Sequence, residues 1–166
     1  MQVTVPGLKR FAAAESPPIL GRMRRVRMGP NQLHFIARAG DTGGAYALVE
    51  WLMAPPPAPG PPLHRHLAED EAVLMLEGLL DCTLDGEARR LGPGDFLMVN
   101  KGRWHTLANP GPNHARFLII LSPPGFEGFW QELAELSRAG TPASDRVLAL
   151  QAKYRMDAGG QARRLE

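Results

Sequence analysis

The chain has 166 residues, 44% hydrophobic and 22% charged, which suits one globular domain around one core. Nineteen Lys and Arg face 17 Asp and Glu, a balance that excludes a strong field for nucleic acid or an anionic membrane, and the single cysteine, Cys82, excludes an intrachain disulfide. Gly and Pro, 18 and 16 of them, favour short strands and tight turns over a helical bundle.

Residues 1–20 carry Pro6, Pro17 and Pro18 and read as an irregular arm. They lack the apolar core of a signal peptide, and no apolar run approaches a membrane span, so the expected location is the cytoplasm. Arg22 to Met28 and Gln32 to Arg38 read as strands parted by a Gly29-Pro30-Asn31 turn. The basic cluster Arg22, Arg24, Arg25 and Arg27 lacks the aromatic interleaving of a nucleic-acid surface, so it reads as a solvated strand face or a subunit contact. Ala45 to Met53 is a third strand, and the proline run Pro55 to Pro62 a stiff connector.

Glu71 to Glu77 is apolar on both faces, as a buried strand is. Leu80 to Leu84 and Glu87 to Leu91 flank Asp85-Gly86, a dipeptide that favours a type I′ hairpin. Past the turn at Gly92 to Asp95, the stretches Phe96 to Val99, Trp104 to Leu107 and Arg116 to Leu121 complete the strands. The period then changes. Phe126, Phe129, Trp130, Leu133 and Leu136 mark an amphipathic helix ending near Arg138. Val147, Leu148, Leu150 and Tyr154 mark a second one, with Ser144 as its expected N-cap.

Chemistry concentrates in the run from His64 to Glu71. Residues two apart on a strand share a face, so His64 and His66 aim both imidazoles at one point. Glu71 lies five positions past His66; with Ala68-Glu69-Asp70 as a turn, it returns on a neighbouring strand toward the same interior. A fourth donor comes from a later strand, where His105 follows the Asn100-Lys101-Gly102 turn. Three imidazoles and a carboxylate suit Fe, Mn, Ni, Co, Cu or Zn, and not Mg or Ca. Glu69 and Asp70 compete for the carboxylate place, but Glu71 opens the apolar strand and fits better. His34 and His114 lie outside this frame and read as ordinary surface or core residues. Met53, Met75 and Met98 are candidates for core filling or for lining a pocket, Met75 foremost because it shares the face of Glu71. Trp104 alternates with His105 and points away from the site. Cys82 reads as a small buried hydrophobe.

This frame resembles that of the cupins. Their first motif is His-x-His, three or four residues, Glu, six residues, Gly, and His64, His66, Glu71 and Gly78 satisfy it; Gly60 stands closer to His64 than the motif's upstream glycine does. Gly94, Gly102, His105 and Asn109 match the second motif in register, with Asn100 in place of its proline. The runs SPPGFEGFWQELAEL and ALQAKYRM are similar to the C-terminal helices of single cupins named as quercetin 2,3-dioxygenase-like.

The resemblance implies an all-β double-stranded β-helix, a jelly-roll barrel, with two C-terminal α-helices. Its parts are an arm at 1–20, the barrel at 21–122 and a helical extension at 123–166. It implies one divalent transition metal on His64, His66, Glu71 and His105, with Glu71 both ligand and catalytic proton acceptor. The expected ligand is a small molecule, and two copies are expected to pair as a homodimer. Two adjacent open positions on an octahedral ion suit oxygen chemistry on an enolic or phenolic, flavonol-like substrate. The same site on this fold also serves isomerases, decarboxylases and lyases. A noncatalytic binding module and a zinc that only stabilises the barrel are the readings from other classes.

Overall fold

The computed structural model of the protein describes residues 24–138 and 140–159. The expected arm at 1–20, and Arg22 of the basic cluster, lie outside them. Ten strands precede the first helix. They are β1 (Arg24–Met28), β2 (Asn31–Ala37), β3 (Ala47–Met53), β4 (His64–His66), β5 (Asp70–Glu77), β6 (Leu80–Leu84), β7 (Glu87–Leu91), β8 (Phe96–Val99), β9 (His105–Ala108) and β10 (Ala115–Ser122). Then come α1 (Glu127–Ser137), α2 (Ser144–Lys153) and a last strand, β11 (Met156–Ala158). No helix among the described residues is long and apolar enough to cross a membrane.

The strands form two antiparallel sheets, in the orders β1-β2-β3-β10-β5-β8 and β11-β4-β9-β6-β7. This is the expected double-stranded β-helix with C-terminal helices. Alternation builds it: in β10, Ala115, Phe117, Ile119 and Leu121 are buried, while the residues between them are not. Facing them, Leu80, Cys82 and Leu84 of β6 and Leu107 of β9 close the core from the second sheet. Burying one large apolar side chain contributes about 1.5–3 kcal/mol. An exposed ion pair such as Arg90–Asp81 contributes about 0–1 kcal/mol, so the inner faces hold the barrel together.

The hairpin between β6 and β7 forms as its dipeptide requires, with Asp85 and Gly86 at φ of 49° and 87°. Gly60 has a packing reason: a Cβ there would collide with the carbonyl oxygen of Leu107, where the proline connector crosses β9. The remaining arginines of the basic cluster, Arg24, Arg25 and Arg27, are exposed on β1.

Three sequence expectations change. Ser144 is the first residue of α2 and not its cap; Ala143 holds the cap position, with no side-chain hydrogen bond. Leu148 is 64% exposed, so the inner face of α2 runs through Val147, Leu150, Gln151 and Tyr154. The residues after α2 return to the sheet as β11, which pairs Met156 with His66 and Ala158 with His64.

Candidate metal centre

Four buried side chains converge between the sheets. His64 and His66 project from β4, His105 from β9 directly opposite His64, and Glu71 from β5 in the other sheet. The turn at 67–69 carries the chain across, as the spacing of His66 and Glu71 requires. A hydrogen bond from Gly102 N to the His66 carbonyl, 2.6 Å, ties the two motifs together. Another from Lys101 N to Asp70 Oδ1, 2.8 Å, fixes the turn before His105 to the start of β5.

One donor atom from each of His64, His66, Glu71 and His105 lies within 4.8 Å of the other three. Donors bound at about 2.0–2.2 Å from one ion stand at most about 4.4 Å apart, so closure by a few tenths of an ångström suffices. The ring nitrogens divide accordingly. His64 Nδ1 lies 2.8 Å from the Pro62 carbonyl and His105 Nδ1 3.1 Å from that of Arg103. A carbonyl can only accept, so each Nδ1 carries the hydrogen and each Nε2 is left with its lone pair. His66 Nε2 and His105 Nε2 are buried without a hydrogen-bond partner. Orphaned, convergent nitrogens beside a carboxylate fit a cation, and this cluster of three histidines and one glutamate can hold a metal ion.

The electrostatics agree. Burial pushes the His64 pKa down to about 4, with the neighbouring His105 adding to the effect, so His64 is neutral at pH 7. Burial alone would raise the Glu71 carboxyl, but the His105 and His66 rings beside it prevail and hold it well below the ordinary carboxylate range. His66 Nε2 is 3.0 Å and His105 Nε2 3.6 Å from Glu71 Oε2. Burial likewise works against charge on His105, yet Glu71 draws its pKa above the ordinary value.

Glu69 and Asp70 stay out of the cluster. Asp70 holds Lys101, and Glu69 is buried on the far side of His66, its Oε2 3.9 Å from His66 Nδ1. Burial raises the Glu69 carboxyl. At that 3.9 Å distance Glu69 makes no hydrogen bond to His66, and both atoms are buried without a partner among the described residues, unlike the carbonyl-bonded Nδ1 atoms of His64 and His105. Asn109 of the second motif is structural: its Nδ2 donates to the carbonyls of Met53 (3.0 Å) and Asn113 (2.7 Å). His34 pairs with Glu50 elsewhere, and His114 is exposed. Trp104 points away and lies under Arg65. Cys82 is buried and unbridged.

A cavity of about 290 Å³ opens against His64 and Glu71. Its methionines are Met28 and Met156. Met53 and Met75 belong to the core and Met98 is 40% exposed, so the expected pocket role of Met75 is not observed.

Residues 51–121 match the family model described as a cupin domain. That stretch is a cupin domain. Over 86 residues the chain is 31% identical to quercetin 2,3-dioxygenase of Bacillus subtilis (strain 168), a match covering 52% of this chain and only 25% of that relative. Among solved structures, KdgF from Halomonas sp. superposes with a TM-score of 0.55 at 20% identity, over 63% of this chain and 90% of that one. An RmlC-like cupin from Shewanella frigidimarina NCIMB 400 gives 0.53 at 16%, covering 64% and 89%. The polyketide cyclase RemF from Streptomyces resistomycificus gives 0.52 at 19%, covering 60% and 72%. At these identities the structural likeness is one of fold, and the chemistry of this cupin must be argued from its own residues.

Proposed function

We propose that His64, His66, Glu71 and His105 bind one divalent transition-metal ion (Fe, Mn, Ni, Co, Cu or Zn) and that the site oxygenates a small enolic or phenolic molecule. The observation that carries the reading is the cavity beside His64 and Glu71, walled by Trp51, Phe126, Phe129 and Trp130, with no lysine or arginine among its described lining residues. Such walls suit a flat aromatic substrate and exclude bulk water. The dioxygenase name of the Bacillus relative supports the same direction.

A bound divalent ion would supply Lewis acidity that makes a substrate hydroxyl acidic and, for every ion of the set but zinc, electron exchange with O2. The protein supplies the rest. Burial keeps His64 neutral and able to donate. Glu71, held ionised, faces the cavity and takes the hydroxyl proton. The aromatic walls hold the ring and orient it.

Metal-loaded protein should consume oxygen with flavonols, and Glu71→Gln should lower the rate by about 10²–10⁴-fold, a larger loss than its loss of metal. A noncatalytic binding module is the second reading: the same cluster and cavity would hold a small molecule with no proton passing to Glu71. Metal-dependent flavonol binding without oxygen uptake by any metal form would decide for that module.

Within the same proposal two copies pair. The outer face of the six-stranded sheet supports this, since Phe96, Met98, Ile120 and Ile36 are all at least 38% exposed there. Light scattering at 18.1 kDa, the mass of one chain, would contradict pairing.

A further inference from the structure

The cavity has two builders. The barrel contributes Trp51 and Leu107 beside the cluster, while the segment after β10 contributes the aromatic wall of Phe126, Phe129 and Trp130 and, from α2, Val147 and Gln151. That segment lies beyond residues 51–121, the stretch that matches the family model. A volume near 290 Å³ is at the small end for ligand pockets.

Away from the cluster, the polar side chains in the wall are Asn31 and Gln151. Asn31 is committed: its Oδ1 accepts from Ala54 N at 2.9 Å and its Nδ2 donates to the Pro59 carbonyl at 3.4 Å. Gln151 is not. It sits on the inner stripe of α2 with Val147, Leu150 and Tyr154, where an apolar residue would complete the packing. The polar ties from the end of α2 to α1 run instead from Lys153 and Tyr154 to Glu132. The carboxamide of Gln151 makes no hydrogen bond with a described residue, so both its donor and its acceptor are free for a ligand. Gln151 itself is half-buried, and the Trp51 indole nitrogen in the same wall is fully buried with no hydrogen-bond partner among the described residues.

We propose that Gln151 is the specificity-determining residue of this cavity: it reads a second polar substituent on a small, uncharged, planar aromatic molecule whose first oxygen faces the cluster of His64, His66, Glu71 and His105. Ligand choice is then set by the helical segment, and metal binding by the barrel. Apart from an ion on the cluster, nothing cationic lines the described wall, so a ligand whose phosphate lies away from the cluster is refused. The inference rests on the reading of this cavity as the substrate site, and not on oxygen chemistry.

The test is ligand binding by the full-length, metal-loaded protein, followed through quenching of tryptophan fluorescence. The probes are 3-hydroxyflavone, its 4′-hydroxy derivative and glucose 6-phosphate. Wild type should prefer the hydroxylated flavone by about 3–10-fold, the span of one neutral hydrogen bond, and should not bind the sugar phosphate. Gln151→Leu should abolish the preference and leave 3-hydroxyflavone affinity within about twofold; Gln151→Met, closer in shape, should do the same. A preference that survives in both variants overturns the proposal. So does sugar phosphate binding as tight as the flavones, or failure of wild type to bind either flavone. An intact preference without oxygen uptake sinks the oxygenase reading alone, whereas uptake by a wild type without the preference sinks this one alone.

Discussion

His34 with Glu50, and His66 with Glu71, are the same pair of residue types in one barrel, both nearly sealed from solvent, with N···O distances of 2.7 and 3.0 Å. Their surroundings differ. Glu50, on the outer side of the six-stranded sheet, also takes Arg116 Nε at 2.6 Å, and Arg116 goes on to Glu77 at 2.9 Å. Within that chain of contacts the Glu50 carboxylate has its own partners. Among the described residues, the polar partners around Glu71 are imidazoles, two of them with an Nε2 that makes no well-formed hydrogen bond. His34 also has one idle nitrogen, but among the described residues no metal-ligating cluster forms around it. Burial and proximity of His and Glu are therefore poor signs of a metal centre. What marks one is a set of converging donors that the protein leaves uncompensated.

The largest effect that would break this contrast is loss of metal. His105→Ala should reduce metal content from one ion per chain to near zero, whereas His34→Ala should leave it unchanged, as measured by elemental analysis of untagged protein. Equal metal in wild type and His105→Ala would remove the basis of the comparison. Occupancy should also fall in mild acid, because each imidazole must shed its proton to bind.

A middle-sized effect sharpens the contrast inside the centre. Glu69 Oε2 lies 3.9 Å from His66 Nδ1, short of a hydrogen bond but on the side where backbone carbonyls accept from His64 and His105. Partners of this kind hold a ligating imidazole in orientation, and their loss typically costs about 10–100-fold in metal affinity. Glu69→Leu should show that loss in a chelator competition, with Glu69→Gln recovering part of it. An unchanged affinity in both would make Glu69 a bystander.

The smallest effect belongs to the outer network. Arg116→Met should cost about 1–3 kcal/mol by leaving Glu50 underpaired. The lower end is expected, because the Arg116 side chain is 42% exposed and solvent screens the pair. Metal content should not move. Burial alone would raise the Glu50 carboxyl, but Arg116 and His34 hold it below the ordinary value of 4.5. A lowered folded-state pKa contributes stability that is present above 4.5 and lost as pH falls through the lowered value. The acid limb of a melting-temperature profile should therefore flatten in Arg116→Met.

The four donors are legible in the sequence because strand alternation and one turn suffice to bring His64, His66 and Glu71 together, and because His105 follows its own turn in register. Alternation says which face a residue takes and nothing about its height in the barrel. Met75 therefore takes the expected inner face but stands at another level, while Met28 and Met156, from distant segments, reach the cavity. The helical period puts Leu148 on the inner face of α2, yet that stripe admits Gln151 instead, because a period alone does not penalise one polar member. β11 escapes the sequence because three residues carry no readable period; only their pairing with β4 defines them.

That pairing places β4, the strand of His64 and His66, under the control of a distant part of the chain. β4 is three residues long and meets β9 at a single register pair, His64 with His105. Its other edge is gripped by β11, by the Arg65–Asp157 ion pair at 2.7 Å, and by hydrogen bonds joining Leu67 N to the Arg155 carbonyl and Gly159 N to that of Leu63. With an ion held by the cluster as proposed, docking of β11 and loading of that ion would be two ends of one thermodynamic linkage, and linkage is reciprocal. Whatever affinity β11 lends to the ion, the ion returns as protection of β11, so amide exchange at Met156 to Ala158 becomes a gauge of occupancy.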